Sequence, residues 1–234
     1  NHVSNVTGKA NPVEPLFRLA KAAGALTLLD ASQSLGLIPV HPRQLRADLV
    51  AFTGHKGLRG PPGTGGLWVA PEIELEQIIV GGTGTRSDLE DHPAEMPARL
   101  EAGTPNLPAL AGLAAALRWR DQDGDASIAH QQRLTARLHD GLAEIPRVRL
   151  CGGAGSAASS GILSFQIAGW DVEEAGYVLR ESFGIICRTG LHCAPLIHAP
   201  LGTAPQGTIR FSMSGCNSEE DVARALAAVR ELAK

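Results

Sequence analysis

Three short apolar runs mark the first third of the chain. Residues 25–29 lead into Asp30, residues 49–52 lead into Thr53, and residues 67–70 follow the glycine-rich turn 60–66. Runs this short, bounded by polar or glycine positions, predict strands covered on both faces. Residues 12–23 carry Leu16 and Leu19 at helical spacing, with Pro12 in the first turn and Gly24 at the end, and predict a helix. Helix and strands together predict an α/β fold. The link from Lys56 to Gly65 is too short for a helical crossover, so the third strand is expected antiparallel to the second, in a mixed sheet.

Residues 71–106 show no regular pattern. Helices are predicted over 107–119 and 126–145, then over 172–182 and 219–233. Strands are predicted over 148–151, 162–167, 185–188 and 208–213. This places a boundary near Asn106, between residues 1–106 and a smaller α+β unit in 107–234. No internal repeat or low-complexity tract interrupts the chain.

Composition changes this picture little. The 234 residues are 44% hydrophobic and 19% charged, with net charge −3, which gives no reason to expect nucleic acid or an anionic membrane as partner. No apolar run approaches a membrane span. The cysteines Cys151, Cys187, Cys193 and Cys216 form no CxxC pair and read as reduced thiols of a cytoplasmic protein. The chain opens at Asn1, without Met, and reads as the interior of a longer protein.

Candidate chemistry starts from lysine, which is rare: Lys9, Lys21, Lys56 and Lys234 are all there are. Lys56 closes Thr53-Gly54-His55-Lys56, just past a buried-looking strand rather than on a polar helix face. That makes it a candidate Schiff-base nucleophile, with a solvated loop lysine as the alternative. Asp30 also follows a strand, at the edge where open α/β sheets bind ligands. A carboxylate there can hold a pyridinium nitrogen protonated, or be an ordinary cap or Asx-turn. Gln33 is three residues on and could reach a ring oxygen.

Cys193 lies in a loop-like stretch, as a sulfur-accepting thiolate that must be exposed and movable would require. Cys187 closes an apolar run and better suits a buried thiol. Arg210 alternates with Ile209, Phe211 and Met213, so it faces away from them, to solvent or a cleft. A zinc set of His192, Cys193, His198 and Cys216 matches no common ligand spacing, and no metal is expected. The 60–66 turn lacks the GK[ST] ending of a nucleotide-binding loop.

In order along the chain, Asp30-Ala31-Ser32-Gln33, Thr53-Gly54-His55-Lys56, Gly63-Thr64-Gly65-Gly66, Arg99-Leu100-Glu101-Ala102-Gly103-Thr104-Pro105-Asn106 and Arg188-Thr189-Gly190-Leu191-His192-Cys193-Ala194 resemble the class V aminotransferase fold. Within it they resemble the cysteine desulfurase and selenocysteine lyase family, over essentially the whole chain. The resemblance implies a pyridoxal-phosphate-dependent transferase of fold type I, aspartate-aminotransferase-like. Residues 1–106 would be the C-terminal part of the large cofactor-binding domain, and 107–234 a connecting helix and small domain.

The same resemblance implies Lys56 as the covalent anchor of pyridoxal 5'-phosphate and Asp30 as partner of its ring nitrogen. Gln33 would contact the ring hydroxyl, and Thr53 and His55 the phosphate. Thr104 would reach the phosphate of the neighbouring subunit in a homodimer. Asn5 would lie near the ring and the substrate carboxylate, which Arg210 would grip, with Arg188 in the same environment. Cys193 would take sulfur from L-cysteine as a persulfide, leaving alanine, for an acceptor protein or thiol. Selenocysteine lyases, C–S lyases and aminotransferases would share Lys56 and Asp30. Leu191 departs from the pattern, since many relatives carry a second His there. The family's upstream phosphate-cradling turn and ring-stacking His do not appear. The chain is therefore expected to be a piece of a longer enzyme, with a dimerisation or binding module as the alternative.

Overall fold

The computed structural model describes residues 1–86, 88–152 and 160–234. Helix α1 (Val13–Ala22) leads into strand β1 (Leu28–Asp30), a short helix α2 (Pro42–Leu45), and strands β2 (Leu49–Thr53) and β3 (Gly65–Val69). β1 runs parallel to β2, with Leu28 opposite Leu49, and β2 antiparallel to β3, with Thr53 opposite Gly65. The mixed sheet expected from the short 56–65 link is what the chain builds. Glycine at the start of β3 lets the two strands close. A β-carbon on Gly66 would lie 2.7 Å from the Phe52 ring.

Within this chain one face of the first sheet is packed. Leu29 and Val50 pack with Val13 and Phe17 of α1, but Leu28 and Leu67 are exposed. α1 covers one face alone, and Leu16 and Leu19, the residues that marked it as a helix, are exposed too.

Residues 71–106, Ser87 lying outside the described residues, hold one 3₁₀ turn (Ala98–Leu100). Then a single helix, α3 (Leu107–Ala143), runs 37 residues where two had been expected. Asn106 caps its start by accepting from the Ala109 N–H at 3.2 Å. The polar stretch around Gly124 does not break it. The Arg120 side chain folds over Gly124 and pairs with Asp125 at 2.8 Å, and a helical glycine costs only about 1 kcal/mol.

The second sheet is antiparallel throughout: β4 (Val148–Leu150), β5 (Ile162–Ile167) and β6 (Ile209–Ser212), in that spatial order. Leu134, Leu138 and Leu142 of α3 meet Phe165 and Phe211, whose rings stack edge-on at 5.0 Å. α4 (Val172–Phe183) and α6 (Glu219–Leu232) complete that core, and α5 (Pro195–His198) is a single turn. The strand expected over 185–188 is absent. Gly184 ends α4 in the left-handed conformation, and the chain touches β6 at one bridge, Arg188 with Arg210, before turning away. Among the described residues no helix is long and apolar enough to cross a membrane.

The first ten residues are the least expected element. They read as a polar stretch, yet Val3 and Val6 are fully buried. The segment joins the two sheets: the His2 N–H donates to the Asp30 carbonyl at 2.8 Å, and the Ser164 hydroxyl on β5 donates to the Val6 carbonyl at 2.6 Å.

Candidate active site

Two loops meet at the carboxyl edge of the first sheet. The Asp30–Gly36 loop and the Lys56 turn approach so closely that a β-carbon on Gly36 would lie 2.6 Å from the Gly57 carbonyl. The Lys56 turn is itself tight. The Gly54 N–H donates to the Thr64 carbonyl at 2.8 Å, and a β-carbon on Gly54 would strike Thr64 Oγ1. Lys56 is exposed on this turn. Burial works to raise the Asp30 carboxyl, but hydrogen bonds from Ser32 and nearby positive charge, Lys56 included, outweigh it and hold its pKa below the usual value. Asp30 is thus an ionised carboxylate facing the field of Lys56. Thr53 Oγ1 and His55 Nδ1 lie 2.7 Å apart, bonded to each other. Gln33 is half-buried in the same loop as Asp30.

A second cluster forms beside β6. Arg210 Nη1 donates to the Asn5 carbonyl at 3.0 Å, while its Nε is buried without a hydrogen-bond partner. Burial and the neighbouring Arg188 both lower the Arg210 pKa, with the Cys193 sulfur opposing them. Two guanidiniums side by side, one with an unused buried N–H, describe a place for an anion. Arg188 Nη2 lies 3.4 Å from Cys193 Sγ, and Cys193 is exposed. Asn5 Nδ2 donates to the carbonyl of His192, the residue before that cysteine, at 2.6 Å.

The N-terminal segment connects the clusters. His2 is bonded to Asp30 and Asn5 to Arg210 and His192, and three residues of extended chain span at most about 11 Å. So Asp30, Lys56, Asn5, Arg188, Cys193 and Arg210 belong to one region. Thr104 does not join it: it is exposed beside Gly84.

The zinc set is not assembled. His192 Nε2 bonds Thr208 Oγ1 at 2.8 Å and His198 Nδ1 bonds Thr203 Oγ1 at 2.8 Å. Cys216 lies away from both, 3.9 Å from Arg59 Nη1. Among the described residues no group of three or more His, Cys, Asp or Glu could hold a metal ion. Of the other thiols, Cys151 is pushed up by burial, and Cys187 to about 11 by burial and Glu173.

Two features escaped the sequence. Thr208, the partner of His192, stands two residues before Arg210, and strand alternation put both on one face. Arg59, three residues past Lys56, crosses to α3, where it donates to Ser127 Oγ at 2.9 Å and lies 4.3 Å over the Trp119 ring. Nothing in its sequence context marked it.

Comparison with known proteins bears on this geometry. The chain is 36% identical over 94% of its length to a protein of Methanothermobacter thermautotrophicus described as "Probable cysteine desulfurase", and 36% identical over its whole length to one of the same description from Pyrococcus abyssi. It spans 56% and 58% of the length of those two relatives. Among solved structures, the apo cysteine desulfurase of Thermococcus onnurineus superposes with a TM-score of 0.88 at 35% identity, covering 99% of this chain and 58% of that one. The fold is thus that of fold-type-I cysteine desulfurases. Residues 1–225 match the family model described as aminotransferase class-V, and with that match spanning both sheets and both clusters, the chain belongs to the class-V aminotransferase family.

Proposed function

We propose that the chain carries the anchoring lysine and the sulfur-accepting thiol of a pyridoxal-phosphate-dependent cysteine desulfurase, converting L-cysteine to L-alanine. The observation that carries this reading is the pairing of Cys193 with Arg188 beside the unsatisfied Nε of Arg210. A thiol and an anion site for the substrate lie next to each other there.

The residues present suit the cofactor. Lys56 offers a primary amine on a fixed turn, Asp30 an ionised carboxylate within its field, and Thr53 and His55 hydrogen-bonding groups for a phosphate. Gln33 would reach the ring oxygen. When bound, pyridoxal phosphate supplies an electron-withdrawing ring that makes bonds at a substrate α-carbon labile. The chain's own groups do the rest. Arg210 receives the substrate carboxylate on its free Nε edge, with Arg188 and Asn5 beside it. Lys56 Nζ would carry the α-proton. Asp30, held ionised, would lie where it can balance positive charge on the ring. The Cys193 thiolate attacks the substrate sulfur, so that an S–S bond forms as the substrate C–S bond breaks. The carbon skeleton takes up a proton and leaves as alanine, and Cys193 keeps a persulfide. Arg188 places positive charge beside the sulfur that carries negative charge at attack.

The remaining parts belong to the same reading. The chain divides at Asn106 into 1–106 and 107–234, and it works as a cytoplasmic homodimer in which Thr104 serves the neighbouring site. Leu107 and Leu110, exposed on the first turn of the helix that follows Thr104, support such an interface. An acceptor protein or thiol takes the sulfur.

The test is to add pyridoxal phosphate and L-cysteine to the purified chain. A visible absorbance band lost in Lys56→Ala, with alanine as carbon product, supports the reading. Pyruvate in place of alanine overturns it in favour of β-elimination. No Lys56-dependent band overturns it in favour of a non-catalytic module.

A further inference from the structure

We infer that Asn5 is a positioning residue for the Cys193 thiol, acting through the backbone carbonyl of His192. The inference rests on the desulfurase reading for its chemistry and deepens it.

Asn5 was expected near the substrate carboxylate. Its side chain is committed elsewhere: Nδ2 donates to the His192 carbonyl at 2.6 Å. Its backbone carbonyl accepts from Arg210. One residue therefore touches both the candidate carboxylate grip and the peptide that precedes the nucleophile.

That peptide needs holding. His192 and Cys193 have φ of +53° and +60°, in the left-handed region that L-residues disfavour. Such conformations persist where the surroundings over-determine them. Three bonds do so here. Asn5 holds the His192 carbonyl, Thr208 holds the His192 ring, and His198 Nε2 lies 3.1 Å from the Leu191 carbonyl. Two of the three originate within residues 198–208, close in sequence to the turn. Asn5 alone reaches it from the distant N-terminal segment, which is also bonded to Asp30 through His2.

The consequence falls on Cys193. Its side chain is exposed, as a sulfur acceptor must be, but its backbone is set, with Sγ 3.4 Å from Arg188 Nη2. His192 is only 2% exposed and burial pushes its pKa to about 4, so it acts as a neutral, fixed ring and contributes no charge. Without the Asn5 donor, the His192–Cys193 peptide is free to relax toward negative φ, which carries the sulfur away from Arg188.

The experiment is alkylation of the full chain by iodoacetamide, with rates at Cys193 and at the exposed Cys216 followed separately by peptide mass spectrometry. Asn5→Ala and the near-isosteric, uncharged Asn5→Leu, which lacks the donor, are each expected to slow Cys193 roughly fivefold, the population change that one hydrogen bond supports, and to leave Cys216 unchanged. Should Asn5→Ala fail to fold, Asn5→Leu alone decides. A wild-type rate at Cys193 in Asn5→Leu overturns the inference. So does a parallel change at Cys193 and Cys216, the mark of general loosening. The readout needs neither cofactor nor turnover. A chain that makes no alanine from cysteine sinks the desulfurase reading and leaves the Asn5 result to be judged by itself.

Discussion

Gly36 and Gly57 meet backbone to backbone: a β-carbon on Gly36 would lie 2.6 Å from the carbonyl of Gly57. This contact presses the loop that carries Asp30 against the turn that carries Lys56. Gly36 also has a φ of +90°, so a side chain there meets both a steric and a conformational penalty.

Gly36→Ala is therefore expected to destabilise the protein by about 2 kcal/mol or more and to weaken cofactor binding. Gly24→Ala is the control. Its φ of +74° is comparable, but a β-carbon there meets open space, so only the conformational cost of about 1 kcal/mol applies. Urea denaturation of both variants, with pyridoxal phosphate titrations followed by absorbance, separates clash from strain.

In the proposed desulfurase Arg210 grips the substrate carboxylate. Removing a charge-assisted partner of a carboxylate costs about 1.5–3 kcal/mol, so Arg210→Ala should raise the KM for cysteine by about 10- to 100-fold. Arg210→Lys should recover little, because an ammonium has no planar edge to present. A KM near wild type in either variant would show that the carboxylate binds elsewhere.

Cys193 and Cys216 are both exposed, but only the first has Arg188 against its sulfur. Cys193→Ala should yield no protein-bound persulfide after incubation with cysteine and cofactor, while keeping the Lys56-dependent absorbance. Cys216→Ser should form persulfide at the wild-type level. Mass spectrometry of the trapped persulfide checks both.

His192 links acidity to stability. Burial first, then the charge of Arg210 and its neighbours, lowers its pKa from 6.5 to about 4. Between those values the unfolded chain binds a proton that the folded chain does not, so this residue makes stability fall as pH drops from 6.5 toward 4 and then level off. Above 6.5 the effect is absent. Urea midpoints measured across about pH 4 to 7 should fall less steeply in His192→Asn, whose side chain does not titrate and tolerates left-handed backbone.

Much of this was legible beforehand where local pattern and local structure agree. The short 56–65 link alone implied the antiparallel β3, and the change from an irregular stretch to a helical pattern near Asn106 marked the start of α3. What escaped depended on side-chain and backbone geometry that composition does not reveal, some of it local and some distant in sequence. The polar run around Gly124 looked like a break because its cover, the aliphatic part of Arg120, comes from the helix itself. Residues 185–188 had strand composition, but the geometry of Gly184 brings them to the sheet at Arg188 alone. Lys56 and Asp30 stood out by their place after strands. The turn holding Cys193 read as a loop, because part of its restraint comes from Asn5, 187 residues away in sequence from His192. Arg59 carried no mark at all.

The unbroken course of α3 has a mechanical consequence. Thirty-seven residues at the helical rise make a rod about 55 Å long, with no proline beyond its first turn to soften it. One rod therefore touches both halves: Leu113 lies against Gly54 and Gly60 of the turn that carries Lys56, and Leu134, Leu138 and Leu142 pack into the core beneath the second sheet. The N-terminal segment, pinned at His2 and at Asn5, ties the same two regions together a second time.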